Sequence, residues 1–319
     1  MDNSIRLREA VPRVITGLGT KSQMKIYDKK LRNPPSEETI RKTSEAFSGF
    51  YDRWMEHHHA IAIDMLGRYH TAGHIGRKVA EIGCGTSRLT SMLMLEMQGK
   101  ILYELGQKGE LDPHLTFICL DFSQQMLALA KINIMTSLSN LMDLVCDENI
   151  QRKPLGKDDF RIDEKAERLQ LAYKGKPVIN VWLACKDASR LTEVPDGDKT
   201  DTVILSYVMY WLRGLEGKLD TLRKLYELPS ARLNVISLEE WPLVVRCDLH
   251  PEEKRIQQLA DMIEEATTVI PMPHMRELFK LAGFSPQEDV ASEAAASSKL
   301  VTPIDDFHRM YGQVFIKRQ

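Results

Sequence analysis

Five short apolar runs, interleaved with segments of helical period, constrain this chain more than any other feature. They span Lys78 to Ile82, Thr116 to Leu120, Val178 to Leu183, Asp201 to Tyr207 and Arg232 to Leu238. Near-continuous apolarity over so few residues fits strands buried on both faces. Helical period runs from Ser87 to about Leu105 and from Gln124 to Leu138, and recurs at Leu215, Leu219, Leu222 and Tyr226. Ile256, Leu259 and Ile263, then Met275, Leu278 and Phe279, mark two further helices. Strands alternating with helices predict an α/β fold, a mostly parallel sheet with helices on both faces. Ser285 to Val290 and Gln313 to Ile316 read as two last strands with no full helical crossover between them. That suits an antiparallel pair at the sheet edge.

The rest of the chain divides by composition. Residues 1–36 carry Arg6, Arg8, Arg13, Lys21, Lys25, Lys29, Lys30 and Arg32 and end in Asn33-Pro34-Pro35. The prolines remove amide donors and disfavour helix before them, so this stretch reads as a basic arm. Residues 37–75 read as a helical cap. Ser36 is a helix N-cap, and Glu37 and Glu38 follow at the positive end of the dipole. Ile40, Phe47, Tyr51 and Trp54 continue at helical spacing, and a second helix is predicted from His57 to Tyr69. Residues 76–319 form the main domain. A charged, weakly patterned insertion interrupts it at about 139–176, with a helix expected near Asp163 to Gln170.

Charge and cysteine usage exclude several classes. Forty-three Lys and Arg balance forty-five Asp and Glu, leaving a formal charge of −2. Proteins that clamp nucleic acid over many phosphates carry a basic surplus, so only a local patch stays open. No apolar run approaches the ~20 residues that a membrane helix requires. Met1 to Arg13 is charged throughout and lacks the apolar stretch of a signal peptide. Cys84, Cys119, Cys146, Cys185 and Cys247 are odd in number and widely spaced. They fit neither a disulfide framework nor a zinc ribbon, which points to reduced thiols in a cytoplasmic protein.

Glu81-Ile82-Gly83-Cys84-Gly85-Thr86-Ser87 joins a predicted strand to a predicted helix. Glycines there admit close backbone approach, and a helix start offers free amides. A turn that merely needs glycine is the plainer reading. A phosphate-cradling loop would need Gly-Lys-Ser/Thr after a four-residue spacer, and no such run occurs. A dinucleotide fingerprint would place glycine where Arg88 stands and an acid closer than Asp121.

In order and context, residues 78–290 resemble class I S-adenosylmethionine-dependent methyltransferases of the small-molecule branch. Val79-Ala80-Glu81-Ile82-Gly83-Cys84-Gly85-Thr86 is similar to the first motif of that family. Leu120-Asp121-Phe122-Ser123-Gln124-Gln125-Met126-Leu127 is similar to the second, Lys186-Asp187-Ala188-Ser189-Arg190-Leu191 to the third, and Asp201-Thr202-Val203-Ile204-Leu205-Ser206 to the fourth. Leu281-Ala282-Gly283-Phe284 resembles a late helix-to-strand turn. Ser87 departs from the frequent third glycine, though serine is small and a good N-cap.

The resemblance implies a Rossmann-like, doubly wound, mostly parallel sheet of seven strands, with S-adenosylmethionine as cofactor. It implies that Gly83 and Gly85 admit the methionine moiety and that Glu81 accepts a bond from its ammonium. Asp121 would take the ribose hydroxyls, since a carboxylate accepts two O–H donors. Phe122 and Met126 would flank adenine, and Asp187 would accept its amino group beside the Ala188 amide. Ser206 and Tyr207 would face the sulfonium. Plainer roles stay open: Asp121 as a helix cap, Phe122 and Met126 as core, Asp187 as a surface acid.

Substrate-pocket candidates follow the strand ends, where open α/β sheets bind ligands. They are Tyr207, Tyr210 and Trp211 after strand four, and Glu239, Glu240 and Trp241 after strand five. The aromatic rings would wall a pocket or pack between helix and sheet. Tyr51 and Trp54, ahead of the first motif, would close over the cofactor or pack between helices. His57-His58-His59 diverge around a helix and make a poor tetrahedral set, so no metal is expected. The implied function is direct in-line methyl transfer to O, N or C of a small organic molecule. Alignment supplies much of the catalysis, and no residue stands out as a base. One alternative is an RNA or protein methyltransferase that uses the basic arm. The lack of an Asn-Pro-Pro-Tyr type motif after strand four argues against methylation of amino groups on bases or glutamine. Another alternative is a non-catalytic methyltransferase-like binding subunit. Oligomeric state leaves no trace in the sequence.

Overall fold

A computed structural model describes residues 33–49, 51–109, 111, 114–149, 154–188, 200–228, 233–241, 262–263, 265–268, 272–287 and 309–317. The basic arm up to residue 32 lies outside them, as do Ser189, Arg190, Leu191 and His250.

The cap begins as its capping residues dictate. Ser36 is extended and its hydroxyl accepts the Thr39 amide at 3.1 Å, starting α1 (Glu37–Ser48). Ile40, Thr43, Ser44 and Phe47 share its buried face. The expected run of one helix from Ile40 to Trp54 is broken at Gly49, and α2 (Tyr51–Thr71) starts anew at Tyr51. Glycine loses the most backbone freedom in a helix, so the break falls where continuing costs most.

β1 (Lys78–Ile82) leads through the glycine turn into α3 (Arg88–Glu96) and α4 (Gln98–Lys108). A single helix was predicted here; Met97 ends one and opens the other, two residues before the helix-weakening Gly99. β2 (Leu115–Asp121) is buried at every residue, and α5 (Gln124–Cys146) follows. α5 runs past Leu138 and takes up the first part of the supposed insertion.

The rest of that insertion corrects the sequence reading. No helix lies near Asp163 to Gln170. Instead β3 (Phe160–Lys165) and β4 (Arg168–Tyr173) form an antiparallel hairpin, and β4 pairs antiparallel with β5 (Lys176–Cys185). Leu169 and Leu171 are buried in alternation with half-buried Arg168 and Gln170, the period of a strand, and Phe160, Ala172 and Tyr173 are buried as well. Lys174 (φ 50°) and Gly175 (φ 77°) make the tight turn into β5, both in the left-handed region that two-residue hairpins require.

The remaining elements are β6 (Thr202–Ser206), α6 (Gly214–Glu227), β7 (Asn234–Trp241), α7 (Met272–Leu281), β8 (Phe284–Pro286) and β9 (Arg309–Lys317). The sheet has nine strands in the order β3-β4-β5-β2-β1-β6-β7-β9-β8. The hairpin accounts for the two beyond the expected seven. β5, β2, β1, β6 and β7 are parallel neighbours, while β9 runs antiparallel between β7 and β8. The α/β class and the antiparallel edge pair therefore stand as predicted. One core cluster packs α2, α3 and α5 on one face, and a second packs α6 and α7 on the other. Among the described residues no helix is long and apolar enough to cross a membrane.

Gly312 of β9 sits opposite Leu238 of β7. A Cβ there would collide with the Tyr69 hydroxyl and lie 3.1 Å from the Met65 sulfur. Gly312→Ala is expected to destabilise the fold by about 1–3 kcal/mol. The check is the urea midpoint, and an unchanged midpoint would contradict this packing.

Candidate functional site

The carboxyl ends of β1, β2, β5 and β6 open onto one cavity of about 590 Å3, roofed by α1 and the start of α2. Its floor is the glycine turn. Gly83 (φ 68°) and Gly85 (φ 53°) are left-handed. A Cβ on Gly83 would strike Val208, and one on Gly85 would lie 3.1 Å from the Tyr51 ring. The Gly83 and Cys84 amides both donate to the Leu120 carbonyl, at 2.7 and 2.9 Å. Ser87 is also left-handed (φ 52°), and its hydroxyl makes no capping bond. It stands at the N-cap of α3 without the side-chain bond expected there, and its backbone is of the kind that favours glycine.

Asp121 ends β2 against this turn. One carboxylate oxygen accepts the Gly85 amide at 2.9 Å and the other the Ser123 amide at 2.8 Å. Burial raises its pKa, opposed by bonds from the backbone of Ser123, Gly85 and Phe122. With three backbone bonds made, the carboxylate keeps one further lone pair. The helix behind it is capped by Ser123, whose hydroxyl accepts the Met126 amide at 3.3 Å.

The structure gathers most of the named residues onto this cavity. Phe122, Met126, Asp187 and Ala188 line it on the β2 and β5 side, and Ser206, Tyr207, Tyr210 and Trp211 on the β6 side, with Gly83, Gly85, Asp121 and Tyr51 between. Glu81 is not among the lining residues. It is buried beneath the turn, where the Thr90 hydroxyl donates to its carboxylate. Burial, the largest cause, pushes its pKa up to about 8. Glu239, Glu240 and Trp241 lie in β7, but their side chains fall outside the described residues, as do those of Trp54, His57 and His58. His59 is buried with its ring 5.7 Å from that of Tyr51. Among the described residues no three His, Cys, Asp or Glu are grouped to hold a metal ion.

Tyr51 closes over the floor. Burial, then the Glu81 and Asp121 carboxyl groups, hold its pKa well above the usual phenol range, so it stays protonated. Its ring meets Phe47 edge-on at 5.5 Å. Next to it, Asp52 accepts the Thr86 hydroxyl, and the Asn133 side-chain amide donates to the Thr86 carbonyl at 3.0 Å. The cap is thereby tied to the glycine turn.

Sequence reasoning missed several residues. Ile40, Ser44 and Phe47 line the cavity from α1. Their shared helical face was legible, but not what it covers. Lys218 of α6 is fully buried, and its amino group donates to the carbonyls of Met209 and Leu212. A lysine at an apolar position of a helix was the available signal.

No protein-family model matches the sequence, and no curated protein matches it. Solved structures do match. The plantazolicin methyltransferase BamL, in complex with a triazolic desmethylPZN analog and SAH, aligns over 92% of this chain and 100% of its own, at 12% identity and a TM-score of 0.52. The chain has a methyltransferase fold. Magnesium protoporphyrin IX methyltransferase (ChlM) from Synechocystis PCC 6803 with bound SAH aligns over 88% and 100%, at 13% identity and a TM-score of 0.47. A possible histamine N-methyltransferase from Thermotoga maritima aligns over 87% and 100%, at 11% identity and a TM-score of 0.43.

Glu81 gives this methyltransferase fold a pH signature. Its folded pKa of about 8 lies above the ordinary 4.5. Its contribution to stability is full below the ordinary value and is lost as pH rises through the folded one. Glu81→Gln keeps an acceptor for Thr90 and removes that slope. Urea unfolding at pH 5 and pH 9 should show a smaller difference in the variant than in the parent chain. Equal differences would mean that Glu81 ionises freely in the folded state.

Proposed function

We propose that this chain is an S-adenosylmethionine-dependent methyltransferase acting on a small organic molecule. The observation that carries the reading is the convergence of Gly83, Gly85, Asp121, Met126 and Asp187 on one cavity at the strand ends. The fit is chemical as well as positional. The two left-handed glycines let Val208 and Tyr51 pack directly against the turn that floors the cavity, where a Cβ on either would crowd them. Asp121 has a lone pair left for a ribose hydroxyl. Phe122 and Met126 offer apolar, polarisable surface to adenine, and Asp187 an acceptor for its amino group.

When bound, S-adenosylmethionine supplies a methyl group already activated on a positively charged sulfur. The protein's own task is then alignment and exclusion of water. Ser206 and Tyr207 end β6 on the side of the turn where the acceptor would enter. Tyr51, Phe47 and Ile40 close the cavity above. This cap favours a small acceptor over RNA or protein. Cys84, Cys119, Cys146 and Cys185 are free thiols, which suits a cytoplasmic setting.

Calorimetry with S-adenosylmethionine and S-adenosylhomocysteine tests the reading. Both should bind the purified protein, and a labelled methyl group should pass into a small-molecule extract. Asp121→Ala should weaken binding by about 1–3 kcal/mol, the cost of losing a charged acceptor. Absence of binding to the folded parent chain would overturn the assignment, and unchanged affinity in the variant would remove Asp121 from the site.

A further inference from the structure

Resting on that reading, we propose that the methyl acceptor is a flat, uncharged aromatic or heteroaromatic molecule that stacks on the 207–213 turn. The strand order separates two ends of the cavity. Asp121 and Asp187 belong to β2 and the end of β5, on one side of β1; the 207–213 turn follows β6, on the other. Neighbouring strands lie ~4.8 Å apart, so the two ends are roughly 10 Å apart. The aromatic wall is therefore not the surface assigned to adenine.

Tyr207 and Tyr210 are buried and back the half-buried Trp211, and all three line the cavity. The rings of Tyr207 and Tyr210 lie 6.4 Å apart, and those of Tyr210 and Trp211 lie 5.8 Å apart at 40°. Phe47 lines the same cavity from α1. Aromatic pairs prefer such offset and tilted distances, and an aromatic ligand would extend the series.

The wall is also built rather than incidental. Tyr207 holds a left-handed backbone (φ 56°), unusual for a bulky residue, and its amide donates to Leu238 at 2.9 Å. The Thr268 amide donates to the Tyr210 carbonyl at 2.8 Å, and the Trp211 amide to Val208 at 3.0 Å. Lys218 binds the carbonyls of Met209 and Leu212 from below. Burying a lysine costs desolvation that an apolar side chain would avoid, and here it is offset by the bonds that pin the turn. Strained backbone held from several sides gathers at functional sites, and a surface fixed beforehand loses little freedom on binding.

Charge sets the remaining property. Glu37, Glu38, Asp121 and Asp187 line the cavity against Arg41, Lys186 and Arg213. Glu38 already pairs with Lys42 at 2.7 Å, and Arg41 with Glu45 at 3.4 Å. With Asp121 taken up at the cofactor end, the remaining three acids and three bases balance, and ring stacking is left as the main source of recognition for an uncharged acceptor.

The test uses the full chain saturated with S-adenosylhomocysteine, so that the cofactor end is filled. 2-Naphthol and decahydro-2-naphthol, equal in carbon skeleton and both uncharged, are titrated by ligand-observed NMR. The aromatic member should bind about tenfold more tightly. Trp211→Leu, at a half-buried position, should abolish that preference and leave S-adenosylhomocysteine affinity unchanged. Lys218→Met should reduce it in the same way, and thermal unfolding confirms that each variant is folded. Equal binding of the two naphthols by protein that holds S-adenosylhomocysteine would overturn the acceptor class alone. Failure to bind S-adenosylhomocysteine would overturn the methyltransferase reading and this inference with it.

Discussion

The carboxylate of Asp121 organises the working end of this fold. It ends β2, yet one of its oxygens accepts the amide of Gly85, in the turn that follows β1. The other accepts Ser123, just before α5 begins. The Leu120 carbonyl beside it accepts Gly83 and Cys84. Two strand ends and the start of a helix are thus held by one buried group and one carbonyl. A charged acceptor bonded to backbone amides resists displacement, because leaving it unsatisfied costs its full desolvation. The left-handed glycines are what allow the turn to come that close.

Two further ties depend on that arrangement. Asp52 and Asn133 both bind Thr86, so α2 and α5 lean on the same turn. Tyr51 then lies over Gly85 and closes the cavity from above. On the far side, Lys218 holds the 207–213 turn through two carbonyls. The cap, the turn after β1 and the turn after β6 therefore form one enclosure around a common floor. Its surface changes character across β1, from carboxylates with Phe122 and Met126 near β2 to the tilted rings of Tyr207, Tyr210 and Trp211 near β6.

Much of this is legible in the sequence where local pattern and chemistry coincide. The strand–turn–helix around Gly83 and Gly85 is continuous in sequence, and the acid closing β2 ends its own apolar run, so each is legible locally although Gly85 and Asp121 meet only across 36 residues. The hairpin of β3 and β4 was not legible as strands, because its outward positions are charged and dilute the alternation of Leu169 and Leu171. The break at Gly49 and the kink at Met97 interrupt helices whose apolar period continues across them. Ser87 read as a cap because serine caps well, and its left-handed backbone depends on how the turn is threaded.

The sequence by itself determined the alternation of strands and helices, the glycine turn, and which residues stand at the strand ends. These depend on side-chain period and backbone freedom, properties of a few consecutive residues. The tertiary structure alone decided which strands are neighbours, that α1 roofs the cavity, that Glu81 faces Thr90 rather than the cavity, and that Lys218 reaches back under the 207–213 turn. Those contacts join residues distant in the chain or on different elements. Burial and the need to satisfy each buried polar group choose among them only when the whole sheet is assembled.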